Sequence, residues 1–268
     1  MILRTALITG GNRGIGLEVC KQLDKLGWQV ILCSRDLQKG QQAAMTLSKN
    51  IIVKQLDIRS ERSIKQVFHE INKQYKKLDV LINNAALGES AYENPIKLKA
   101  KQTIKEYFKP VYRLIKMAKP KTKNMNLFID SIGVSNITLN KAKYIMETNL
   151  FGAWHMIQAF LPLLEKSEDG QIINISSGMG TYSELSGLYP AYSISKASLN
   201  ALTVMFSNEL KDRKIRVNAV CPGWVKTDMG GKDAPRTVEE GAETIVWLAN
   251  HENETNGKLF RDKRVINW

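Results

Sequence analysis

Short apolar runs alternate along this chain with stretches in which apolar residues recur at helical spacing. A continuous apolar run of about four to eight residues is typical of a strand buried on both faces, whereas recurrence every three or four positions is typical of an amphipathic helix. Six strands are predicted in this way, at residues 2–9, 28–33, 51–56, 80–83, 171–176 and 215–221.

Amphipathic helices are predicted between these strands. Their inner faces are marked by Ile15, Val19, Leu23 and Leu26; by Ile64, Val67, Phe68 and Ile71; and, in a long helix from about Lys141, by Met146, Leu150, Ala153, Ile157 and Leu161. A further helix is predicted over residues 192–212. Apolar strands joined by helices indicate a parallel sheet covered on both faces. We therefore expect a single doubly wound, Rossmann-type α/β domain over residues 1–268, with about seven strands.

Residues 88–140 interrupt this alternation. They carry an amphipathic stripe of their own, formed by Ile104, Tyr107, Phe108, Val111, Ile115 and Ala118. From Lys97 to Lys123 there are ten basic residues and one acidic residue, Glu106. Both ends join the alternating pattern, so we expect a basic helical insertion within the one domain.

Composition narrows the choice of partners and of cellular compartment. The net charge of +13 is compatible with nucleic acid, an anionic membrane surface or a phosphorylated cofactor as partner, but a solvated lysine-rich surface is the favoured explanation. Cys20, Cys33 and Cys221 are far apart and form no Cys-x-x-Cys pair, which favours a reducing, cytoplasmic location and argues against disulfides or zinc. The histidines are scattered as well, so no metal is expected. No apolar run is long enough to span a bilayer.

A glycine-rich loop follows the first predicted strand and opens the first predicted helix. Its glycines, Gly10, Gly14 and Gly16, have the spacing Gly-x-x-x-Gly-x-Gly. Glycines allow a tight turn and a close approach of the backbone to a pyrophosphate, and the helix N-terminus offers N–H groups and a positive dipole end to phosphates. The loop therefore predicts a dinucleotide site.

The end of the second predicted strand distinguishes the two nicotinamide cofactors. An acidic residue there binds the ribose 2′-OH of NAD and repels a 2′-phosphate. This chain has Ser34 and Arg35 instead, with no acid until Asp36. Arg35, together with Arg13 of the glycine loop, can pair with a phosphate, which favours NADP over NAD. Asp57, at the end of the third strand, is placed to accept a hydrogen bond from the adenine amino group.

A possible acid–base pair stands at the start of the helix after the fifth strand. Tyr192 and Lys196 are four residues apart and therefore share one helical face. A neighbouring ammonium favours the phenolate and lowers the pKa of a tyrosine. Ser177 places a hydroxyl at the same rim, and Asn149 lies within the preceding long helix.

The ordered set of motifs resembles the short-chain dehydrogenases/reductases. It comprises residues 9–16, residues 83–86, Asn149, Ser177, Tyr192 with Lys196, and residues 222–227. Residues 221–229, 239–244 and 263–268 are similar to the C-terminal part of the NADPH-dependent carbonyl reductases. The resemblance covers the chain except residues 88–140.

This resemblance implies an activity and a role for each site residue. The expected reaction is NADPH-dependent reduction of a ketone, aldehyde or quinone to an alcohol. Tyr192 would protonate the carbonyl oxygen, Lys196 would lower the tyrosine pKa and bind the nicotinamide ribose, and Ser177 would stabilise charge on the substrate oxygen. Asn149 would hold a water that links Lys196 to solvent, and Val225 and Thr227 would anchor the carboxamide. The full set of expected cofactor-binding residues is Gly10, Asn12, Arg13, Gly14, Ile15, Gly16, Ser34, Arg35, Asp57, Ile58, Asn83, Ala85, Tyr192, Lys196, Pro222, Gly223, Val225 and Thr227.

Two departures from the family pattern leave the substrate open. The segment from Ser177 to Tyr192 is short, and the extra length lies before Asn149, as in plant menthone- and salutaridine-type reductases. Only about ten residues separate Thr227 from the next helix, which a Thr237-x-x-Glu240 capping box begins. The pocket therefore lacks the usual lid unless residues 88–140 cover it.

Several alternatives remain for the insertion and for the whole protein. Residues 88–140 either pack on the domain and block the helix surface through which relatives oligomerise, or form a lid, or contact a membrane or nucleic acid, the last being least favoured. We expect a small-molecule carbonyl substrate, no nucleic-acid partner and a monomer rather than a dimer. The rival function is a protein that senses NADP(H), or acts as a scaffold, with little catalysis.

Overall fold

The computed structural model describes residues 3–48, 51–89, 133–251 and 255–268. Within these ranges one sheet of eight strands forms the centre of the molecule, in the order β3-β2-β1-β4-β5-β6-β7-β8. The strands are β1 (Thr5–Thr9), β2 (Gln29–Ser34), β3 (Ile52–Gln55), β4 (Val80–Asn83), β5 (Gly170–Ile175), β6 (Ile215–Val220), β7 (Leu259–Arg261) and β8 (Arg264–Ile266).

Seven of the strands run parallel, and β8 pairs antiparallel with β7. The order reverses between β1 and β4, which creates the crevice where ligands of doubly wound sheets bind. All six predicted strands are present, with ends that lie within three residues of the predicted ones. The expected doubly wound α/β fold is confirmed, with an eighth strand beyond the seven expected.

Helices cover both faces of this sheet. They are α1 (Gly14–Lys25), α2 (Leu37–Ala44), α3 (Glu61–Tyr75), α4 (Leu139–Met146), α5 (Ala153–Leu164), α6 (Pro190–Glu209) and α7 (Val238–Asn250). Successive strand residues point to opposite faces, so Leu7 joins a core with α3, α5 and α6, while Ala6 and Ile8 join a core with α1 and α7. Each strand thus feeds two hydrophobic cores, which explains why the strands are apolar throughout.

The long helix predicted from about Lys141 is interrupted. A π-helical turn, Glu147–Gly152, joins α4 to α5 and contains Asn149. One other detail was wrong: Leu26 was expected on the inner face of α1, but it lies just beyond the helix with 52% of its surface exposed.

Most of the predicted insertion, residues 88–140, lies outside the described residues, and its expected helical character with it. Only 88–89 and 133–140 are described. None of the helices in the described ranges combines the length and apolar content that a membrane crossing requires.

Candidate active site

The glycine loop between β1 and α1 is folded so that little space remains around its backbone. Gly10 and Gly14 have φ angles of +66° and +53°, in the left-handed region that favours glycine. A Cβ atom at Gly10 would lie 3.1 Å from Cα of Ala85. The Asn84 side chain donates hydrogen bonds to the carbonyls of Thr9 at 2.9 Å and of Gly10 at 3.2 Å. The loop is therefore shaped as a backbone cradle at the N-terminus of α1, where phosphates bind readily.

Two charged residues follow β2: Arg35, which is exposed, and Asp36, which caps the next helix. The Asp36 side chain caps α2 by accepting a hydrogen bond from the Lys39 backbone at 3.1 Å, and the Ser34 hydroxyl donates to the Asp36 carbonyl at 2.7 Å. The Asp36 carboxylate is thus directed at the N-terminus of α2, and the Arg35 side chain is exposed at this strand end.

Two of the expected cofactor residues form ion pairs that the sequence did not reveal. Arg13 pairs with Asp228, which follows β6, at 2.6 Å. Asp57 receives the Arg59 guanidinium at 3.0 Å on one carboxylate oxygen, and the Arg59 backbone N–H, also at 3.0 Å, on the other. The Arg59 guanidinium lowers the pKa of Asp57, which therefore stays ionised. Ile58 is buried and packs against Gly152 in the π-helical turn.

Asn83 and Ala85, after β4, differ in what they present to the crevice. The Asn83 side chain is buried and donates to Asn174 at 2.9 Å, so it points into the protein rather than toward a ligand. The Ala85 backbone N–H donates to the Thr9 hydroxyl at 3.0 Å, which joins this loop to the glycine loop. Only the backbone of Asn83 remains available to a dinucleotide.

The loop after β6 reaches back to the glycine loop. Gly223 has a φ of +79°, and Val225 is buried. A Cβ atom at Gly14 would lie 3.2 Å from the Thr227 methyl carbon, so the two loops are in close proximity. The Thr227 hydroxyl accepts a hydrogen bond from Gly230 at 3.0 Å, which holds the loop in a turn. Pro222, Gly223, Val225 and Thr227 thus form the wall opposite the glycine cradle.

Ser177, Tyr192 and Lys196 come together at the carboxyl end of β5. The Ser177 hydroxyl lies within hydrogen-bonding reach of the Tyr192 phenol and acts to lower its pKa. The Lys196 ammonium lies 5.7 Å from the centroid of the Tyr192 ring and donates to the Ile175 carbonyl at 2.7 Å. Two hydroxyls and an ammonium therefore meet at one point of the rim, as the sequence predicted.

Comparison with known proteins decides the family. The family model described as short chain dehydrogenase matches residues 4–126 and 109–238 of this chain. The chain belongs to the short-chain dehydrogenase family.

Members of this short-chain dehydrogenase family that resemble the chain include human carbonyl reductase (NADPH) 3, 33% identical over 99% of this chain and 98% of the relative. The (+)-neomenthol dehydrogenase of Arabidopsis thaliana is 32% identical over 98% of this chain and 97% of its own length. Among solved structures, the NADPH-bound carbonyl reductase from chicken fatty liver is 27% identical, with a TM-score of 0.77 and complete coverage of both chains. Salutaridine reductase from Papaver somniferum is 27% identical, with a TM-score of 0.75 over 97% of this chain and 99% of that one.

The pKa values in this short-chain dehydrogenase differ from the sequence-based expectation. Burial raises the pKa of Tyr192 to about 12, while the hydrogen bond with Ser177 acts in the opposite direction. Burial lowers the pKa of Lys196 to about 8. Lys196 was expected to lower the pKa of Tyr192, but desolvation of the buried phenol dominates. The phenol is therefore protonated at neutral pH.

Asn149 has a different set of partners from the one expected. Its side chain accepts a hydrogen bond from the Leu87 N–H at 2.7 Å, and donates to the Leu87 carbonyl at 2.9 Å and to the Ser195 hydroxyl at 3.0 Å. Both donors and the acceptor of the amide are thus used within the protein. A water beside Asn149 would therefore have to bind backbone groups, which a π-helical turn frees from their usual helical partners.

Sequence reasoning did not assign roles to Thr9, Asn84 and Glu89. The Thr9 hydroxyl accepts from the backbone N–H groups of Asn84 and Ala85, both at 3.0 Å. Thr9 and Asn84 stand inside the quoted motifs, and two polar residues at the ends of neighbouring predicted strands were the available signal. Glu89 accepts a hydrogen bond from the Tyr192 backbone at 3.0 Å, and nothing in its local sequence indicated this contact.

Proposed function

We propose that this protein catalyses the NADPH-dependent reduction of a small-molecule carbonyl compound, a ketone, aldehyde or quinone, to the alcohol. The observation that carries the proposal is that the Ser177 hydroxyl and the Tyr192 phenol come within reach of each other, with the Lys196 ammonium 5.7 Å from the tyrosine ring. This pair of hydroxyls lies on a short-chain dehydrogenase fold whose relatives include enzymes named as NADPH carbonyl reductases.

The residues present fit a bound NADP(H). The cradle formed by Gly10, Gly14 and Gly16 would receive the pyrophosphate, because its backbone leaves no space for side chains there. Arg35 and Arg13 would hold the 2′-phosphate, while Asp36 directs its carboxylate at the N-terminus of α2. When bound, NADPH supplies the hydride, which is chemistry that no side chain of this protein can perform.

The remaining residues of the expected site would position the other parts of the dinucleotide. Asp57 and Ile58 would border the adenine, and the backbones of Asn83 and Ala85 would border the adjoining ribose. Asn12 and Ile15 would contribute backbone N–H groups from the glycine loop. Val225 and Thr227, after Pro222 and Gly223, would anchor the carboxamide.

Tyr192 would act as the general acid. Burial raises its pKa to about 12, so the phenol carries a proton at neutral pH and can donate it to a carbonyl oxygen. Ser177 would donate a second hydrogen bond to the same oxygen and so stabilise the developing negative charge. The ammonium of Lys196, close to the ring, would then stabilise the phenolate that remains. A protonated phenol favours the reductive direction.

Replacement of Tyr192 by phenylalanine tests this proposal. The variant keeps the ring and its packing but loses the proton donor, so NADPH consumption with a panel of quinones, aldehydes and ketones should fall by roughly 10²- to 10⁴-fold. Most of the NADPH binding, measured by its fluorescence, should remain, because the variant leaves the glycine cradle and Arg35 intact. Tyr182→Phe is the matched control, since Tyr182 is 85% exposed in the segment between β5 and α6 and its replacement should leave turnover unchanged.

Two results would contradict the proposal. Turnover that survives in Tyr192→Phe would remove the tyrosine from the chemistry. Tight NADPH binding by the unaltered protein without turnover of any substrate in the panel would indicate a sensor or scaffold instead of an enzyme.

A further inference from the structure

Helix α6, which carries Tyr192 in its first turn, lacks a local N-terminal cap. Its N-cap residue is Tyr189, which has a left-handed backbone (φ 53°, ψ 47°) and makes no side-chain capping hydrogen bond. The first helical residue is Pro190, which has no N–H group. Most helices satisfy the N–H of the third helical residue with a Ser, Thr, Asp or Asn at the N-cap. In α6 that third residue is Tyr192.

Glu89 supplies the missing acceptor from a distant part of the chain. It follows the loop after β4, and its carboxylate accepts a hydrogen bond from the Tyr192 N–H at 3.0 Å. Glu89 is only 7% exposed, and within the described part of the chain its second carboxylate oxygen is buried without a hydrogen-bond partner. Burial of a carboxylate that accepts a single hydrogen bond is unfavourable unless another favourable electrostatic interaction offsets the lost hydration. The positive end of the α6 dipole provides such a position.

The other side of the Tyr192 backbone is held by a chain of hydrogen bonds that returns to the same loop. The Ser195 hydroxyl donates to the Tyr192 carbonyl at 2.7 Å. Asn149 donates to Ser195 at 3.0 Å and exchanges two hydrogen bonds with the backbone of Leu87. Leu87 is two residues from Glu89, so the circuit closes around Tyr192.

We propose that Glu89 is a positioning residue for Tyr192: its carboxylate replaces the absent N-cap of α6 and, with the Asn149–Ser195 bridge, clamps both backbone groups of the residue that carries the phenol. The inference rests on the proposed function, because positioning matters only if Tyr192 takes part in the reaction. A displacement of about 1 Å in a reacting group costs up to roughly 100-fold in rate, so a clamp on this backbone acts directly on turnover.

Two substitutions at Glu89 test the clamp. Glu89→Ala removes the acceptor and should lower kcat for NADPH-dependent carbonyl reduction by about 10- to 100-fold, with KM and the NADPH dissociation constant changed by less than about 3-fold. Glu89→Gln keeps an oxygen that can accept from the Tyr192 N–H and should restore kcat to within about 3-fold of the unaltered protein. A loss of general stability would not produce this split between kcat and binding.

Amide hydrogen exchange at Tyr192 gives a second readout that does not depend on activity. The Tyr192 N–H should be protected in the unaltered protein and in Glu89→Gln, and should exchange at least about 10-fold faster in Glu89→Ala. Ser60→Ala is the matched control: Ser60 caps α3 through the Ser63 N–H at 3.3 Å, so its loss weakens a helix cap elsewhere and should leave kcat and Tyr192 exchange unchanged.

The outcomes separate the inference from the proposed function. If Glu89→Ala retains full kcat while Tyr192→Phe is inactive, Glu89 is not a positioning residue although the function stands. If the Tyr192 amide exchanges rapidly in Glu89→Gln, the clamp is overturned, even where Glu89→Ala fails to fold. It is also overturned if this amide exchanges at the same rate in the unaltered protein and in both Glu89 variants. If the unaltered protein reduces no carbonyl compound, the proposed function itself fails.

Discussion

At the scale of single residues, Lys196 combines deep burial with a charge. Only 2% of it is exposed, and burial lowers the pKa of its ammonium to about 8 from an ordinary value of 10.5. As pH rises from about 8 to 10.5, the folded protein has released this proton while the unfolded chain still binds it. The free energy of unfolding therefore rises with pH over this range. Below pH 8 the folded protein carries the full cost of burying the charged ammonium of Lys196.

Lys196→Met should remove this dependence. The free energy of unfolding of the unaltered protein, relative to that of the variant, should rise by about 3 kcal/mol between pH 8 and 10.5. Tyr192 titrates in both proteins, so its effect cancels in the difference. Urea unfolding at several pH values measures this difference, and Lys73→Met, at an exposed lysine of α3, should show none of it. A difference that stays flat with pH would show that burial does not perturb Lys196.

Arg35 is the residue on which the preference between cofactors should depend. Arg35 provides an exposed positive charge at the end of β2, where a 2′-phosphate would lie. Arg35→Ala should raise the NADPH dissociation constant by about 10- to 100-fold and leave that of NADH nearly unchanged, since only NADPH carries the phosphate. Isothermal titration with both cofactors measures the ratio. Lys39→Ala, at an exposed lysine of α2, is the control, and equal losses for both cofactors would contradict a role in phosphate recognition.

Residue roles were predictable where a motif specified them and were missed where they depend on tertiary contacts. The positions of Ser177, Tyr192 and Lys196 at one rim followed from strand ends and from a helical spacing of four. Glu89 lies 103 positions from Tyr192, and no local pattern links the two. The pKa of Tyr192 was also expected to fall, but its direction depends on burial, which a spacing does not report.

At the scale of elements, buried amides join the sheet to α6. Asn174 in β5 is fully buried, accepts from Asn83 in β4 and donates to Thr203 in α6, both at 2.9 Å. These contacts set α6, and with it Tyr192, against the ends of the two central strands. A buried donor that loses its partner is costly because no water replaces it.

Asn174→Ala should therefore destabilise the protein by about 2 kcal/mol, because the Asn83 amide is left without its partner. Asn208→Ala removes the same group from an exposed position of α6 and should cost much less. Chemical denaturation of both variants measures the difference. Equal stability of the two variants would show that the network contributes nothing to folding.

Elements with strong periodicity were predictable from sequence, and short ones were not. The fourth strand was predicted at residues 80–83 and is found at Val80–Asn83. Helix α2 and strands β7 and β8 were not located, since α2 has few apolar residues and each of the two strands has three residues. The break in the long helix was also missed, because a π-helical turn preserves the apolar face on either side of it.

At the scale of the whole molecule, one sheet runs through all described parts of the chain. The helices on each face pack against the same strands. Removal of either helix layer would therefore expose the apolar face of the sheet that this layer covers. We infer that the described ranges form one domain; that the domain extends over all of residues 1–268 stays a prediction. Its cytoplasmic location, its monomeric state and its independence of metals stay predictions; the three cysteines are free and buried.

Thermal unfolding should therefore show one cooperative transition. Far-UV circular dichroism reports the helices, and tryptophan fluorescence reports Trp28 and Trp247 in one core and Trp154 in the other. Both probes should give coincident midpoints, and the calorimetric enthalpy should match the van't Hoff enthalpy. Midpoints that differ between the probes would divide the chain into separately folding units.

The pair between Arg13 and Asp228 has a consequence for how a nucleotide is taken up. It joins the first loop of the sheet to the segment after β6, and the two side chains are 70% and 76% exposed. Such an open pair is weakly held, because water and salt screen it. A phosphate that binds Arg13 must displace the Asp228 carboxylate. Nucleotide binding then exchanges one anion for another at Arg13. The binding free energy at this position is the difference between the Arg13–phosphate and the Arg13–Asp228 interactions.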